Sequence, residues 1–319
     1  MSHASKAGVQ ASGEASSQPD LLSFGLLAFN AVVWGSAFFL IDIALDGFRP
    51  ITLAFTRIAI GAVLLGIIAV WCAESGRRHL FHGFRGQWPT LIVASATGTA
   101  LPFALVSWGQ THLPSSVAAT IMATSPLFTM ALARIWTKDE RMTRRKLGGF
   151  LLAFLGIAIM SIGQQLTDPG IDSLLAGVAF LAAAIGYAVS AVAIRQLNDI
   201  PPMRLSANLL LISAVAIAPF AFLFEAPLAS NPSAIAIGAI VTLGILPSGI
   251  AVLAMVFLIK RAGASFAITV NYLVPPVGVS LGVLALNEPL NWQLLLAALL
   301  ILSGLFLAYG RLGRTKTGQ

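Results

Sequence analysis

Residues 263–310 read GASFAITVNYLVPPVGVSLGVLALNEPLNWQLLLAALLILSGLFLAYG, two apolar runs joined by one short acidic turn. Each run has close to the roughly 20 residues that an α-helix needs to cross a bilayer. The first carries Asn271 and Tyr272 just ahead of Leu273-Val274-Pro275-Pro276, and the second carries Ser303-Gly304 deep inside it. Proline removes a backbone donor, and lipid cannot satisfy the carbonyl left behind, so a broken span beside polar groups is expected to face a cavity. The turn Leu286-Asn287-Glu288-Pro289-Leu290-Asn291 places a single carboxylate between the two hydrophobic walls.

The same pattern stands earlier in the chain. Glu140-Arg141-Met142-Thr143 leads into a run containing Gly156, and Glu140 to Glu288 and Gly156 to Gly304 are both separations of 148. At a shift of 149, Ser116, Ala118, Thr120 and Pro126 fall on Ser265, Ala267, Thr269 and Pro275 without a gap. Further upstream Pro102 faces Pro247 and Trp34 faces Tyr187, with loops absorbing small insertions. The chain thus reads as a tandem repeat, 21–166 and 172–310, between polar tails at 1–20 and 311–319. The first tail lacks the apolar run of a cleavable signal peptide and is expected to be disordered.

Composition fixes the solvent. With 57% hydrophobic and 10% charged residues among 319, the chain lies far from soluble domains, which carry about 25% charged residues. Ten segments are apolar and long enough to span: 21–43, 50–72, 88–110, 114–136, 146–163, 173–195, 203–224, 234–259, 263–286 and 291–310. Of the 19 Lys and Arg, all but Arg49 and Arg57 fall in the tails and in the loops of one side. Basic loops mark the cytoplasmic face, so both termini are expected there. The net charge of +7 is explained by this bias without a nucleic-acid partner. Five spans per repeat is an odd number, so the second copy enters the membrane with opposite polarity. The expected fold is an all-α integral membrane protein of ten transmembrane helices in two inverted five-helix repeats, an architecture that places a binding site near the midplane between its halves.

Arg57 is the most informative single residue. Its span holds ten Leu, Ile, Val or Phe residues from Leu53 to Val70, worth about 3 to 6 kcal/mol of favourable insertion against about 2.5 to 3.5 kcal/mol for a central Arg. The span therefore tolerates the charge. Either the side chain reaches the outer interface or pairs with Asp42, or it faces a central cavity as a partner for a substrate carboxylate. Trp34, Gly35 and Ser36 lie in mid-span, with Tyr187 and Ser190 as their counterparts in the second repeat. They suit a cavity wall for a small solute, or close helix packing at Gly35. Pro102, Pro126, Pro247, Pro275 and Pro276 interrupt spans three, four, eight and nine, and their recurrence in both halves marks those spans as the ones lining a pathway. Gly278 and Gly282 read as close packing.

Signs of catalysis are sparse. His79 and His82 have a ligand-like spacing without a nearby third ligand, and the one cysteine, Cys72, has no intrachain partner. The chain has no Walker A loop and no His-Glu-x-x-His segment. Neither a metal nor another cofactor is expected, and no enzymatic activity. Asp42, Glu140, Glu225 and Glu288 all map near span ends, so facilitated movement or exchange is favoured over proton coupling.

This combination resembles the drug/metabolite transporter superfamily, in particular its ten-helix EamA-type exporters. The resemblance rests on Trp34-Gly35-Ser36, on Arg57, on the turns Glu140-Arg141-Met142-Thr143 and Glu288-Pro289-Leu290-Asn291, and on the closing run Ala297 to Gly304. It implies export of small metabolites, often amino acids, through a cavity lined by spans one, three, four, six, eight and nine. On these positions the cavity would include Trp34, Ser36, Trp108, Tyr187, Ser190, Asn271 and Tyr272, to which the reading of the residues adds Arg57. The first-half turn departs from the family pattern in its load of Arg141, Arg144, Arg145 and Lys146, a charge that suits anionic lipid. The expected function is an inner-membrane permease exporting amino acids or related zwitterions by alternating access. The alternatives are an exporter of lipophilic cations and, in another class, a non-transporting scaffold or lipid-modifying enzyme. The expected partners are a small-molecule substrate and the bilayer.

Overall fold

The computed structural model of the chain describes residues 19–72, 80–81, 83–113, 118, 121–136, 143–161, 170–197, 199–227, 232–277 and 292–309. Among them there is no β-strand. The helices are α1 (Leu21–Leu45), α2 (Pro50–Trp71), α3 (Trp88–Gly109), α4 (Ser125–Trp136), α5 (Arg144–Ser161), α6 (Ile171–Gln196), α7 (Pro202–Phe224), α8 (Ala234–Ala262), α9 (Ala264–Val277) and α10 (Trp292–Tyr309). Six of them, α1, α2, α3, α6, α7 and α8, are long and apolar enough to cross a bilayer. Their outward faces carry Val63, Ile67, Val178, Val215, Leu223 and Ile235, all largely exposed. So large an apolar surface is stable against lipid and not against water. The turns around Glu140 and Glu288, His79, His82 and the Gly278–Gly282 run lie outside the described residues.

Local chemistry sets the helix ends. Asp20 caps α1, its Oδ1 accepting from the Ser23 amide at 3.0 Å and the Ser23 hydroxyl at 2.6 Å. Ser233 caps α8 by accepting from the Ala236 amide. Prolines open α2 and α7 at Pro50 and Pro202, where a missing N–H costs no helical bond. The N-terminus of α2 has no side-chain cap from its own N-cap residue, Arg49. The cap comes from the end of α7, where the Glu225 carboxylate accepts from the amides of Ile51 at 3.1 Å and Thr52 at 2.6 Å. Replacing Glu225 by Ala should cost about 1 to 2 kcal/mol, the usual value of a lost cap. Thermal denaturation in detergent reads this as a lowered Tm, which Glu225→Gln, keeping one acceptor, should partly restore.

Four pairings are extensive: α2 with α7 and α5 with α10, and α1 with α8 and α3 with α6. Counting five helices onward, the first two pairs map onto themselves and the other two onto each other. The α5–α10 crossing is made by Gly149 and Gly304, where a Cβ added to either glycine would fall onto the other's carbonyl oxygen.

Both α3 and α8 loosen in mid-span into π-helical turns, at Ala96–Ala100 and Gly244–Ile250. A π turn carries an extra residue and leaves a carbonyl without its usual partner, which in lipid must be met from elsewhere. Around α3 the donors come from neighbouring helices: the Ser190 hydroxyl of α6 donates to the Ala94 carbonyl at 2.8 Å, and that of Ser213 of α7 to the Ser95 carbonyl at 2.9 Å.

At one end of the bundle Asp20 also pairs with Arg261 at the foot of α8, Arg261 Nε donating to Oδ1 at 3.2 Å and Nη2 to Oδ2. The Arg261 guanidinium, with the Ser23 donors, holds the Asp20 carboxyl well below the usual carboxylate range. A depressed carboxyl pKa stabilises the fold above the unfolded value of about 3.9, and that stabilisation is lost as pH falls through the folded value. Asp20→Asn should therefore lower Tm at neutral pH, and the gap to the native chain should narrow as pH is taken below about 4.

A central cavity around Arg57

Among the helices lies a cavity of about 1060 Å³, its opening to solvent included. Its walls come from α1, α2, α3, α6, α7, α8 and α9, with Met122 just ahead of α4. Its apolar lining includes Trp34, Phe38, Ile41, Phe103 and Val106 and the aliphatic set Ile194, Leu209, Val252, Met255, Ile259 and Ile268.

Arg57 lines this cavity and is only 4% exposed. Its Nε donates to the Ser248 hydroxyl, inside the π turn of α8, at 2.9 Å. The guanidinium carbon stands 4.2 Å from the centroid of the Phe103 ring, a cation–π contact. Asp42, which the sequence offered as a counter-ion, instead accepts from Gln110 Nε2 at 2.9 Å. Among the described residues no Asp or Glu lines the cavity. Arg57 is thus a buried cation held in place by neutral groups.

Trp34 also lines the cavity, with its indole Nε1 donating to the Pro247 carbonyl at 3.1 Å. The π turn of α8 is therefore gripped from α1 and α2 at adjacent residues, Pro247 and Ser248. Tyr187, Ser190 and Asn271 complete the polar lining predicted from sequence. Ser190 sits so close to α3 that a Cβ on Gly98 would fall onto its hydroxyl. Asn271, 8% exposed, presents a buried Nδ2 that has no hydrogen-bond partner among the described residues.

Three predicted residues lie off the lining. Ser36 turns its hydroxyl back to the Val33 carbonyl at 2.9 Å, and Trp108 packs against His112 with ring centroids 4.7 Å apart. Tyr272 is fully buried against α5, 5.9 Å from the Phe150 ring. It follows Asn271 directly, and successive helical residues point about 100° apart, so the pair cannot share one wall.

The prolines position helices and do not form the wall themselves. Pro247 lies inside the α8 π turn, Pro102 stands two residues past the end of the α3 π turn, and Pro126 lies in the first turn of α4. Pro275 and Pro276 correct the sequence reading: the helix runs through them, and the irregular turn falls at Ile268–Thr269, where Asn271 and Tyr272 bond three residues back to Ile268 and Thr269. Proline in a helix removes the bond to the carbonyl four residues upstream, here the carbonyls of Asn271 and Tyr272.

Sequence reasoning missed Ser248, Thr99, Phe103 and the aliphatic set of the cavity. Ser248 and the lining residue Thr99 stand in the π turns of α8 and α3; they are 149 apart whereas Pro102 and Pro247 of the same two helices are 145 apart, so no single shift pairs both. The first helical prolines, Pro50 and Pro202, set Arg57 opposite the lining residue Leu209, which shows that the charge has no twin in the second half. The Gly278–Gly282 run spells Gly-x-Ser-x-Gly around Ser280. That motif works as a nucleophile only at a strand-to-helix turn, and no strand occurs among the described residues.

A bundle of lipid-facing helices around a cavity with one buried cation is the build of a membrane transporter. Sequence comparison agrees: the profile of the EamA-like transporter family matches twice, over residues 22–162 and 174–310, and the chain belongs to that family. It is 26% identical to a probable terminal-alkyne amino-acid exporter of Streptantibioticus cattleyicolor, over 91% of this chain and 94% of that protein. It is also 26% identical to YedA of Escherichia coli K12, described as an uncharacterized inner membrane transporter, over 81% of each chain. One crystal structure shares the fold with a TM-score of 0.74 at 22% identity, covering 90% of this chain and 96% of that one.

Proposed function

We propose that the chain is an inner-membrane permease that exports small carboxylate-bearing metabolites, amino acids and related zwitterions being the first class to test, by alternating access. The observation that carries this reading is Arg57. A cation 4% exposed, facing a cavity with no acidic residue among the described lining, is costly unless an anion completes it. A solute carboxylate does so. The Streptantibioticus cattleyicolor relative, named as an amino-acid exporter, supports the same class.

The working cycle follows from the repeats. The double family match, the paired π turns in α3 and α8 and the exchange symmetry of the helix pairings support two five-helix units, 21–166 and 172–310, of opposite polarity. Such units provide two nearly equivalent conformations, open to either side of one central site. The basic loops put both termini in the cytoplasm. With no carboxylate on the described lining, the carrier moves its solute down a gradient or by exchange. A lipophilic cation would meet the Arg57 charge in the cavity, which disfavours the multidrug reading; the cavity itself disfavours a scaffold.

The test is uptake of labelled amino acids into proteoliposomes with and without an imposed pH gradient. Equilibration without the gradient is the expected result. Accumulation that requires the gradient would replace the facilitator reading by proton coupling, and transport of lipophilic cations in place of amino acids would overturn the substrate class.

A further inference from the structure

Resting on the reading of the cavity as a carboxylate site, we infer that it recognises its solute as an anion and does not read an amino group. The preferred substrate is then a monocarboxylate with an apolar body, one further hydrogen-bond acceptor, and an amino group that is acylated or absent.

The argument is one of complementary groups. The cavity offers the Arg57 guanidinium, of which Nε alone donates to a side chain among the described residues; on its wall stands Asn271, whose Nδ2 lies buried just behind the lining without a partner among the described residues. A buried donor left unmet is penalised by its full desolvation, so the ligand that fits supplies acceptors to both. An ammonium group is the opposite case. It brings donors and a positive charge, and among the described residues the lining has no carboxylate to receive it. The indole N–H of Trp34 is a donor and cannot receive an ammonium, and the Ser190 hydroxyl, its proton given to the Ala94 carbonyl, leaves only a neutral acceptor. The Phe103 face is taken by Arg57 itself. An aromatic face such as that of Tyr187 offers an ammonium only a weak attraction, and Arg57 repels it.

The solute body is set by the rest of the wall. Val252, Met255, Ile259, Ile194 and Ile268 form an aliphatic chamber, and Met adapts its shape to varied apolar groups. A branched aliphatic tail of about the size of a leucine side chain is a suitable probe.

Intrinsic tryptophan fluorescence tests this directly, because Trp34 stands in the wall. The purified full-length protein in detergent is titrated with N-acetyl-L-leucine, 4-methyl-2-oxopentanoate, 4-methylpentanoate, L-leucine and L-leucinamide. The expected order is both acceptor-bearing anions at least about tenfold tighter than leucine, with leucinamide inert. Asn271→Ala should weaken N-acetyl-L-leucine about fivefold and leave 4-methylpentanoate, which has no second acceptor, unchanged. Leucine binding tighter than the anions overturns this inference while leaving the carboxylate site standing. Binding of leucinamide, or of no compound in the set, overturns both.

Discussion

Arg57→Met removes solute transport and leaves the protein folded. Truncating one partner of a buried, hydrogen-bonded charge pair costs about 2 to 5 kcal/mol, or between about 30-fold and several thousand-fold in affinity. The same change removes a buried cation that has no acidic partner among the described residues, and an apolar side chain of similar volume at such a place is often neutral or stabilising. Transport and stability should therefore move apart: uptake into proteoliposomes falls to background while Tm in detergent holds or rises. Arg57→Lys makes the comparison sharper. Lysine keeps the charge but loses the planar fork and the stacking on Phe103, so it should keep part of the binding and lose the hold on Ser248. Normal uptake by the Met variant would place the solute carboxylate elsewhere.

The second large effect has the reverse signature. At the α5–α10 crossing, Gly149→Leu or Gly304→Leu forces two helix backbones apart, because even a Cβ has no room on either side. Overpacking costs about 1 to 3 kcal/mol in ordinary cores, and here the obstacle is backbone carbonyl, which has no rotamer to change. Small residues are what allow such helices to associate in lipid. The expected result is a large drop in Tm and in the yield of folded protein. No described residue of α5 or α10 lines the cavity, so transport per folded molecule should stay near the native value. A Leu variant with unchanged Tm would mean that the crossing contributes nothing to stability.

How far these features could be read from sequence depends on what a helix in lipid records. Spans are visible because crossing a bilayer takes a fixed length of apolar chain, and Arg57 is visible because one charge in such a run has few explanations. Direction around the helix axis is much harder to read. A soluble helix shows its buried side by amphipathic spacing, whereas these helices are apolar all round, so Trp34 and Asn271 on the lining differ little in sequence context from Ser36 and Tyr272 off it. Proline misled for a related reason: in α9 it continues a helix already irregular at Ile268–Thr269. Ser248 and Thr99 stand 149 apart, but the prolines of the same two spans stand 145 apart, so the change of register within the repeat hid their correspondence.

The π turns of α3 and α8 make the chain's residue count equivalent to an angle. Each residue of an α-helix advances about 100° and about 1.5 Å, and a π turn stores one residue beyond that rhythm. Deleting one residue from Gly244–Ile250 would let α8 relax to a regular helix and swing everything below it by about 100°. Val252, Met255, Val256 and Ile259 would then leave the wall, and residues that now face lipid or neighbouring helices would replace them. A single-codon deletion here would alter an entire chamber, where the same deletion in a loop alters only slack. Chain length through the middle of α3 and α8 is therefore a determinant of which solute fits, independent of the identity of any one side chain.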